Sequence, residues 1–553
     1  MDESRHHIWS QLDYSVVDPS TINESLAEHF QRTQELNELL LIEISSALNN
    51  FHRCSHAERY WNIIIGPWLR SFCNNLMFRW IYLTSALSSF DIDYSSLTID
   101  NNLGGIHPRN FSEYRKSIAN DSWSQHIYSM IWNSINARSD TNGTVETHLP
   151  DHFTKMSPVH LSSKPPRTTS RRIVLVDPYL PKRSEIALRL LTGSARPRIP
   201  RINAPLIQNE PAVRASLTFD GPAVNRLHQI GRDLIIDQMP SAYVEGYSLL
   251  VESTSKLKLP SSPRVIFTAN RHLYDDVFNA WVAQTTEHGS IYVIGQHGGY
   301  YGSSRFRSDA EIHEEQVSDM HLTWGWKNSK KQLPGPCLKT IGKRYRPSAQ
   351  AKHLLIVCDH MWKHPRSLFH EISENVGYLE YVARCVTGLP TGIRENIVIR
   401  LHHAHAETGS SQSEWWQTRD PTIKVDGGIS NIQKLIRESR LVVSTSNSTT
   451  FLETLNLNIP TAVTWNSSYI QLRPEALLYF QRLKEVGIFH DNDQSFIDHV
   501  TKHWSDIETW WTSDAVQSAR LMFCNQFSGI QAHPLLFLRR TLKNINLTGK
   551  PRP

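Results

Sequence analysis

Residues 441–464, LVVSTSNSTTFLETLNLNIPTAVT, carry the side chains with the clearest chemical purpose. Leu441, Val442 and Val443 read as a buried strand that stops at a loop of hydroxyls and amides, residues 444–450. Phe451, Leu452, Leu455 and Leu457 then mark the apolar side of a helix, and a second apolar run, 462–465, follows Ile459-Pro460. The first amides of a helix lack intrahelical acceptors, and the aligned peptide dipoles add a partial positive charge there. A strand that feeds small polar residues into a helix start therefore builds an anion site. Ser444, Ser446, Ser448, Thr449 and Thr450 are its hydroxyl donors. Glu453, one turn inside the helix, is placed to bond ribose hydroxyls or to balance the helix dipole. An N-capped helix after any parallel strand gives the same local pattern. The Glu453-to-Pro460 spacing favours a sugar nucleotide with a diphosphate or phosphodiester link.

A second constellation follows the strand-like run 291–294. Gly295, Gln296, His297, Gly298, Gly299, Tyr300, Tyr301 and Gly302 place four glycines in eight positions. The backbone can turn tightly there and approach a ligand closely. His297 sits at the C-terminal end of a strand, where open α/β sheets place functional groups. Arg305, Arg307, His313, Glu314, Glu315 and Asp319 come next, then HLTWGW. Transfer to a hydroxyl acceptor needs a base, or a nucleophile if configuration is retained. His297, Glu315 and Asp319 flank the glycine-rich loop and are the candidates, with Asp177 after an earlier strand in reserve. Glu315 has a structural alternative, an ion pair with Arg305 or Arg307. A third group, Arg400, His402, His403 and His405, ends the run 397–401. Alternate strand side chains face opposite ways, and no cysteine or carboxylate cluster adjoins them. A phosphate-facing role for Arg400 and His402 or His403 is therefore preferred to metal ligation. No DxD signature ends a strand, so neither a metal nor a cofactor is expected.

The elements that must position these groups fall into three regions. Residues 1–165 read as mainly helical, with Leu26, Phe30, Leu36, Leu39, Leu40 and Ile44 at helical spacing. Within it Gly66-Pro67 is expected to break or kink a helix, and Trp61, Trp68, Phe72 and Trp80 read as core. Residues 161–172, LSSKPPRTTSRR, form a linker, and Arg196, Arg198 and Arg201 lie in a proline-rich irregular loop. Strands alternate with helices across 172–330 and again across 352–540, which implies two Rossmann-like domains. The expected division is a helical N-terminal region (1–165), an acceptor-side domain carrying the catalytic loop (166–335), and a nucleotide-sugar domain (336–553). The last ends in closing helices and a frayed basic tail. The fold class is α/β, with the two domains facing each other across a cleft in the GT-B manner.

Composition narrows the partners. The chain has 553 residues, enough for about three domains of ~150 residues. A net charge of +5, spread along the sequence, gives no footprint for nucleic acid. Six cysteines without a CxxC pair suggest reduced thiols in the cytoplasm. The polar start, MDESRHHIWSQLDY, lacks a signal-peptide core, and no run approaches the ~20 apolar residues of a membrane span. The basic tail is a modest signal for contact with an anionic membrane surface.

The series SNIQKLIRESRLVVSTSNSTTFLETLNLNIPTAV resembles the nucleotide-binding half of GT-B glycosyltransferases and related epimerases. YWNIIIGPWL, GQHGGYYG, the E-x3-D-x4-W-G-W pattern from Glu315 to Trp326, and STSNSTTFLETL, in that order, resemble the LIC12162-like family. That family comprises transferases of bacterial surface-carbohydrate gene clusters. It is distantly similar to enzymes that use CMP-activated ulosonic acids (Kdo and sialic-acid-like sugars). This resemblance implies that Arg400, His402 or His403, and the Ser/Thr loop hold the CMP phosphate. It also implies a catalytic carboxylate from the N-terminal domain, and a surface polysaccharide or lipid-linked glycan as acceptor. His402-His403-Ala404 stands where those enzymes have His-Pro. A sugar-nucleotide epimerase, a polyol-phosphate transferase of the CDP-glycerol type and a non-catalytic glycan or nucleotide binder are the alternatives.

Overall fold

The computed structural model describes residues 11, 25–90, 107–136, 172–194, 202–208, 210–367, 369, 375–403, 412–467 and 470–545. The linker 161–171, Arg196, Arg198, Arg201, His405 and the tail 546–553 lie outside them.

Two parallel sheets form the frame. The first contains β1 (Ile173–Leu175), β2 (Val265–Thr268), β3 (Ile291–Gly295), β4 (Met320–Thr323) and β5 (Gln332–Pro334), side by side in chain order. The second contains β6 (His353–Val357), β7 (Ile397–Arg400), β8 (Lys424–Asp426), β9 (Ser439–Ser444), β10 (Thr461–Thr464) and β11 (Phe489–His490). Its order is β11-β10-β9-β6-β7-β8. The apolar runs read from the sequence are these strands, near-continuously buried as strands covered on both faces must be. In the second sheet the winding reverses between β6 and β9. Ligands of doubly wound sheets bind outside the strand C-termini at such a reversal. The two lobes face each other across a cleft. This is the GT-B arrangement.

The helical N-terminal region completes the first lobe. The helix Glu58–Ser89 packs on the helices Leu26–His52, Asp276–Glu287 and Asp309–Val317. Its Trp61, Ile64 and Trp68 share one core with Val174, Ile266, Tyr292 and Ile294 of the sheet. Trp80 packs against the same core from a half-buried position. The predicted break at Gly66-Pro67 does not occur: one helix runs through Pro67. An interior proline costs ~3 kcal/mol, but Ile63, Ile64, Ile65, Trp68 and Leu69 around it are all buried. Each large apolar side chain contributes about 1.5–3 kcal/mol, so the packing outweighs the proline. Gly66 itself is a contact point, since a Cβ there would lie 2.6 Å from the His313 ring.

The chain end also departs from expectation. Residues expected to fray instead form the helix Pro534–Asn544, which packs on the helix Lys182–Thr192 of the first lobe. Leu538 and Leu542 repeat at helical spacing and bury fully, together with Ile545, and this seats the helix. The last described segment of the C-terminal region therefore returns to the first lobe. Among the described residues no helix is long and apolar enough to cross a membrane.

Candidate active site

The Ser/Thr loop leaves β9 at Ser444 and enters the helix Thr449–Asn456, with Ser448 as N-cap. Ser448 spends no side-chain bond on capping; its Oγ lies 3.3 Å from Ser444 Oγ. Thr445 is pinned by the Tyr378 hydroxyl and by donating to the Val357 carbonyl at 3.0 Å. Thr450 occupies the first helical turn, half-buried.

The glycine-rich loop after β3 lies directly on this helix start. The Gly299 amide donates to Thr449 Oγ1 at 3.0 Å. A Cβ on Gly299 would sit 2.4 Å from the Ser448 carbonyl carbon, so only glycine permits the approach. Tyr300 adopts a left-handed backbone (φ 72°), and its hydroxyl bonds Asp359 and reaches Ser446 Oγ at 3.4 Å. The Asn447 amide donates to Ser303 Oγ and Ser304 Oγ, each at 3.0 Å. Gln296 is fully buried beneath the loop: its Oε1 accepts from the Trp324 amide and Trp326 Nε1, both 2.8 Å, and its Nε2 donates to the Gly298 carbonyl. Gly295 passes Leu338 so closely that a Cβ would lie 2.8 Å from its methyl. The two constellations, about 150 residues apart in sequence, form one site between the lobes.

His297 is fixed by a carboxylate that the sequence reading did not single out. Glu314, wholly buried on the helix Asp309–Val317, receives His272 Nε2 at 2.9 Å and the Tyr301 hydroxyl at 3.0 Å. His297 Nδ1 lies 3.2 Å from Glu314 and 3.1 Å from the Tyr301 hydroxyl, and His321 Nε2 lies 3.2 Å from the second carboxylate oxygen. Burial alone would raise the Glu314 pKa, but the bonds from these imidazoles hold it well below the usual carboxylate range. Glu314 and the Tyr301 hydroxyl thus engage the Nδ1 side of the His297 ring. The ring is about one-fifth exposed, with its edge against Tyr179, 6.2 Å between centroids. A strand-end histidine engaged by a buried carboxylate is a candidate for proton transfer.

Tyr179 also borders a cavity of about 660 Å³ at the ends of β1 and β2, lined by Asp177, Asn203, Asn270, Arg271 and Asp275. Asp177 is bound by the Tyr274 hydroxyl at 2.8 Å and by Arg271 at 3.3 Å. Asp177 and Tyr179 both have positive φ (42° and 60°). Such backbone costs on the order of 1–3 kcal/mol per residue and concentrates at ligand sites.

The other two catalytic candidates lie elsewhere. Glu315 points away from Glu314 and is ion-paired with Arg307. Asp319 precedes β4, at the opposite end of the sheet from the glycine-rich loop, where it accepts from the Tyr292 amide at 2.7 Å and pairs with Arg59 at 3.0 Å. Both have structural partners, and His297 alone of the three adjoins the cleft. Among the donor-side candidates, Arg400 is paired with Asp426 within the second lobe. His402 and His403 follow β7 with rings 4.2 Å apart, brought together because they lie just past the strand rather than in its alternating register. Glu453 faces the interlobe connection, 2.5 Å from Lys339 Nζ and 3.8 Å from Lys343 Nζ. Lys339 in turn lies 5.0 Å over the Tyr179 ring.

A family model described as LIC12162 family transferase matches residues 1–542. The chain belongs to that family. A search of curated proteins finds no match. Solved structures similar to it include a putative UDP-N-acetylglucosamine 2-epimerase from Listeria monocytogenes, 13% identical, TM-score 0.38, over 68% of this chain and 96% of that one. The spinosyn rhamnosyltransferase SpnG is also 13% identical, TM-score 0.29, over 68% and 99%. An O-GlcNAc transferase mutant from Thermobaculum terrenum is 12% identical, TM-score 0.31, over 93% and 98%.

In this LIC12162 family transferase, sequence reasoning passed over Glu314, His272, Tyr301 and Asp359. One signal was available. Glu314 lies between Ile312 and Val317, apolar residues of the same short helix that are both core. A carboxylate on the buried side has to be paired, and a paired buried carboxylate next to a strand-end histidine is a functional pattern.

Proposed function

We propose that the chain is a glycosyltransferase that moves a sugar from a nucleotide donor to a hydroxyl acceptor in the interlobe cleft. One observation carries this reading: the loop bearing His297 lies on the start of the helix Thr449–Asn456, with Gly299 bonded to Thr449. A base and an anion-stabilising helix end thus adjoin one another, as the two ends of a transfer require. The donor phosphate sits at Ser448 and Thr449, where helix amides and the hydroxyls of Ser444, Ser446 and Thr450 stabilise charge on the leaving group. Preorganised donors of this kind account for several kcal/mol of barrier lowering. His297 Nε2 takes the acceptor proton while Glu314 stabilises the imidazolium. Glu453 bonds the ribose, handed over from Lys339 when nucleotide enters.

The acceptor occupies the cavity beside Tyr179, whose carboxylates and amides suit a polyhydroxylated ligand. A CMP-activated ulosonic acid is the favoured donor and a surface polysaccharide or lipid-linked glycan the favoured acceptor. Both rest on the motif resemblance, whereas placement at the inner face of the cytoplasmic membrane rests on the unpaired cysteines and the basic chain end. The helix end and basic side chains supply the charge stabilisation that a metal supplies in other transferases, so turnover should persist in chelator.

The first experiment is a thermal-shift panel of CMP, CDP, UDP, GDP and ADP, because a ligand that binds only the native state raises the melting temperature by mass action. One nucleotide should stand out, and its shift should vanish in the Ser448→Ala, Thr449→Ala double variant. No shift with any nucleotide sinks the reading. Consumption of sugar nucleotide without any acceptor would indicate an epimerase instead.

A further inference from the structure

The donor half of the cleft contains a basic cluster that this function does not yet employ. It begins beside the switch point, where His360 follows Asp359 at the end of β6. The His360 and His402 rings stack 4.2 Å apart, and His403 lies 4.2 Å beyond His402. On the other side His360 adjoins Trp362 at 5.3 Å, and the Arg366 guanidinium lies 4.0 Å over the Trp362 ring. Arg115, from the helix Phe111–Ser117, is near enough for its charge to act on both His360 and Arg366.

Arg366 Nε and His360 Nε2 are buried, and among the described residues neither has a hydrogen-bond partner. Asp309, the carboxylate whose field reaches Arg366, is bonded by Asn74 at 2.6 Å and makes no ion pair with it. Asp359 is engaged by Tyr300, and burial raises its pKa, which favours the uncharged acid. Burial and the neighbouring arginine lower Arg366 to about 10; burial and the adjacent His402, Arg366, Arg115 and His403 lower His360 to about 2. A guanidinium nitrogen buried without an acceptor is costly, and an oxyanion of a ligand would satisfy it.

We propose that Arg366, Arg115 and the imidazoles of His360, His402 and His403 form an oxyanion subsite, which holds an anionic group of the donor distinct from the phosphate at Ser448 and Thr449. This rests on the donor reading above and narrows it: the donor carries negative charge at two separated positions. The second oxyanion is either another phosphate of the nucleotide or a carboxylate on the sugar. The guanidinium fork, the stacked indole and an arginine from each lobe suit either group. A ligand that engages both lobes in this way also favours the closed cleft.

Isothermal titration of the full chain tests this with inorganic phosphate, the preferred nucleoside mono- and diphosphate, and a free ulosonic acid, which has a carboxylate but no phosphate. Arg366→Gln should lower affinity for one anion class by roughly tenfold or more, the scale of a lost charge-assisted bond. Arg115→Gln should do so less strongly and guards against a folding defect in the first variant. Loss confined to the ulosonic acid identifies the carboxylate source; loss confined to the diphosphate identifies a second phosphate. If both variants bind every probe within twofold of the parent, the subsite is overturned even when the Ser448, Thr449 variant loses nucleotide. If nucleotides fail to bind the parent but phosphate or ulosonic acid binds and depends on Arg366, the donor reading fails and the oxyanion site stands.

Discussion

Glu314→Gln is the most informative single change. It preserves shape and removes one charge from the centre of a buried network. His272, His297 and Tyr301 approach one carboxylate oxygen at 2.9, 3.2 and 3.0 Å, and His321 approaches the other at 3.2 Å. A hydrogen bond to a charged group contributes about 1.5–3 kcal/mol, against about 0.5–1.5 for a neutral pair. Three or four such contacts lose about 1 kcal/mol each, giving about 3–4 kcal/mol, which agrees with the 3–5 typical of breaking a buried ion pair. At about 2–4 °C per kcal/mol for a lobe of 150–250 residues, the first lobe should melt roughly 6–16 °C lower. The amide also no longer fixes the His297 tautomer. General bases contribute about 10²–10⁴ in rate, so turnover should fall by that range, about 2.7–5.4 kcal/mol of barrier. Differential scanning calorimetry gives the first quantity. The second comes from nucleotide release by the folded variant at a temperature below its transition, with His297→Gln as reference. Nitrogen-15 spectra of histidine-labelled protein should show His297 protonated on Nδ1 in the parent and a mixture in the variant. A variant that melts within a degree of the parent and turns over normally refutes the argument that Glu314 holds His297.

Other expectations follow from individual contacts. Gly299→Ala drives a methyl into the Ser448 backbone at 2.4 Å and should separate the two loops, costing about 1–3 kcal/mol and abolishing the nucleotide thermal shift; an unaltered shift means the loops need not touch. Glu453→Gln should weaken ribonucleotides by about tenfold and leave dideoxyribonucleotides unchanged, so equal effects on both exclude a ribose contact. His56 is buried, which lowers its pKa, but Cys54 and Glu287, the latter 2.8 Å away, outweigh that and push it up to about 9. Because the folded value lies above the unfolded one near 6.5, its stabilisation is complete below that value and is lost as pH rises through about 9. The melting temperature should fall between pH 7 and 9.5, and less steeply in His56→Gln; parallel curves dismiss the pair as a contributor.

The sequence by itself determined the alternation of strands and helices. Runs such as 173–175, 291–294 and 441–443 are continuously apolar and buried on both faces, and their bounding turn residues mark them as strands. It also determined that the Ser/Thr loop opens a helix and that the glycine-rich loop ends a strand, because those are local matters of capping, dipole and backbone freedom. Tertiary structure decided the rest. Glu314 and Glu315 are adjacent and chemically alike, and only the packing of Asp309–Val317 between the sheet and Glu58–Ser89 turns the first to His297 and the second to Arg307. Asp319 followed the right motif but entered the wrong end of a short strand, β4, whose place in the sheet depends on pairing with β3 and β5. The helix through Pro67 and the docked helix Pro534–Asn544 both override local signals, because burial summed over many side chains exceeds the cost of one proline or the fraying of one chain end. The cluster around Arg366 joins residues from Phe111–Ser117 and from the segments that follow β6 and β7, and no spacing in the chain announces it. Contacts of that kind join segments far apart in the chain, so they are written in the fold and not in any segment of it.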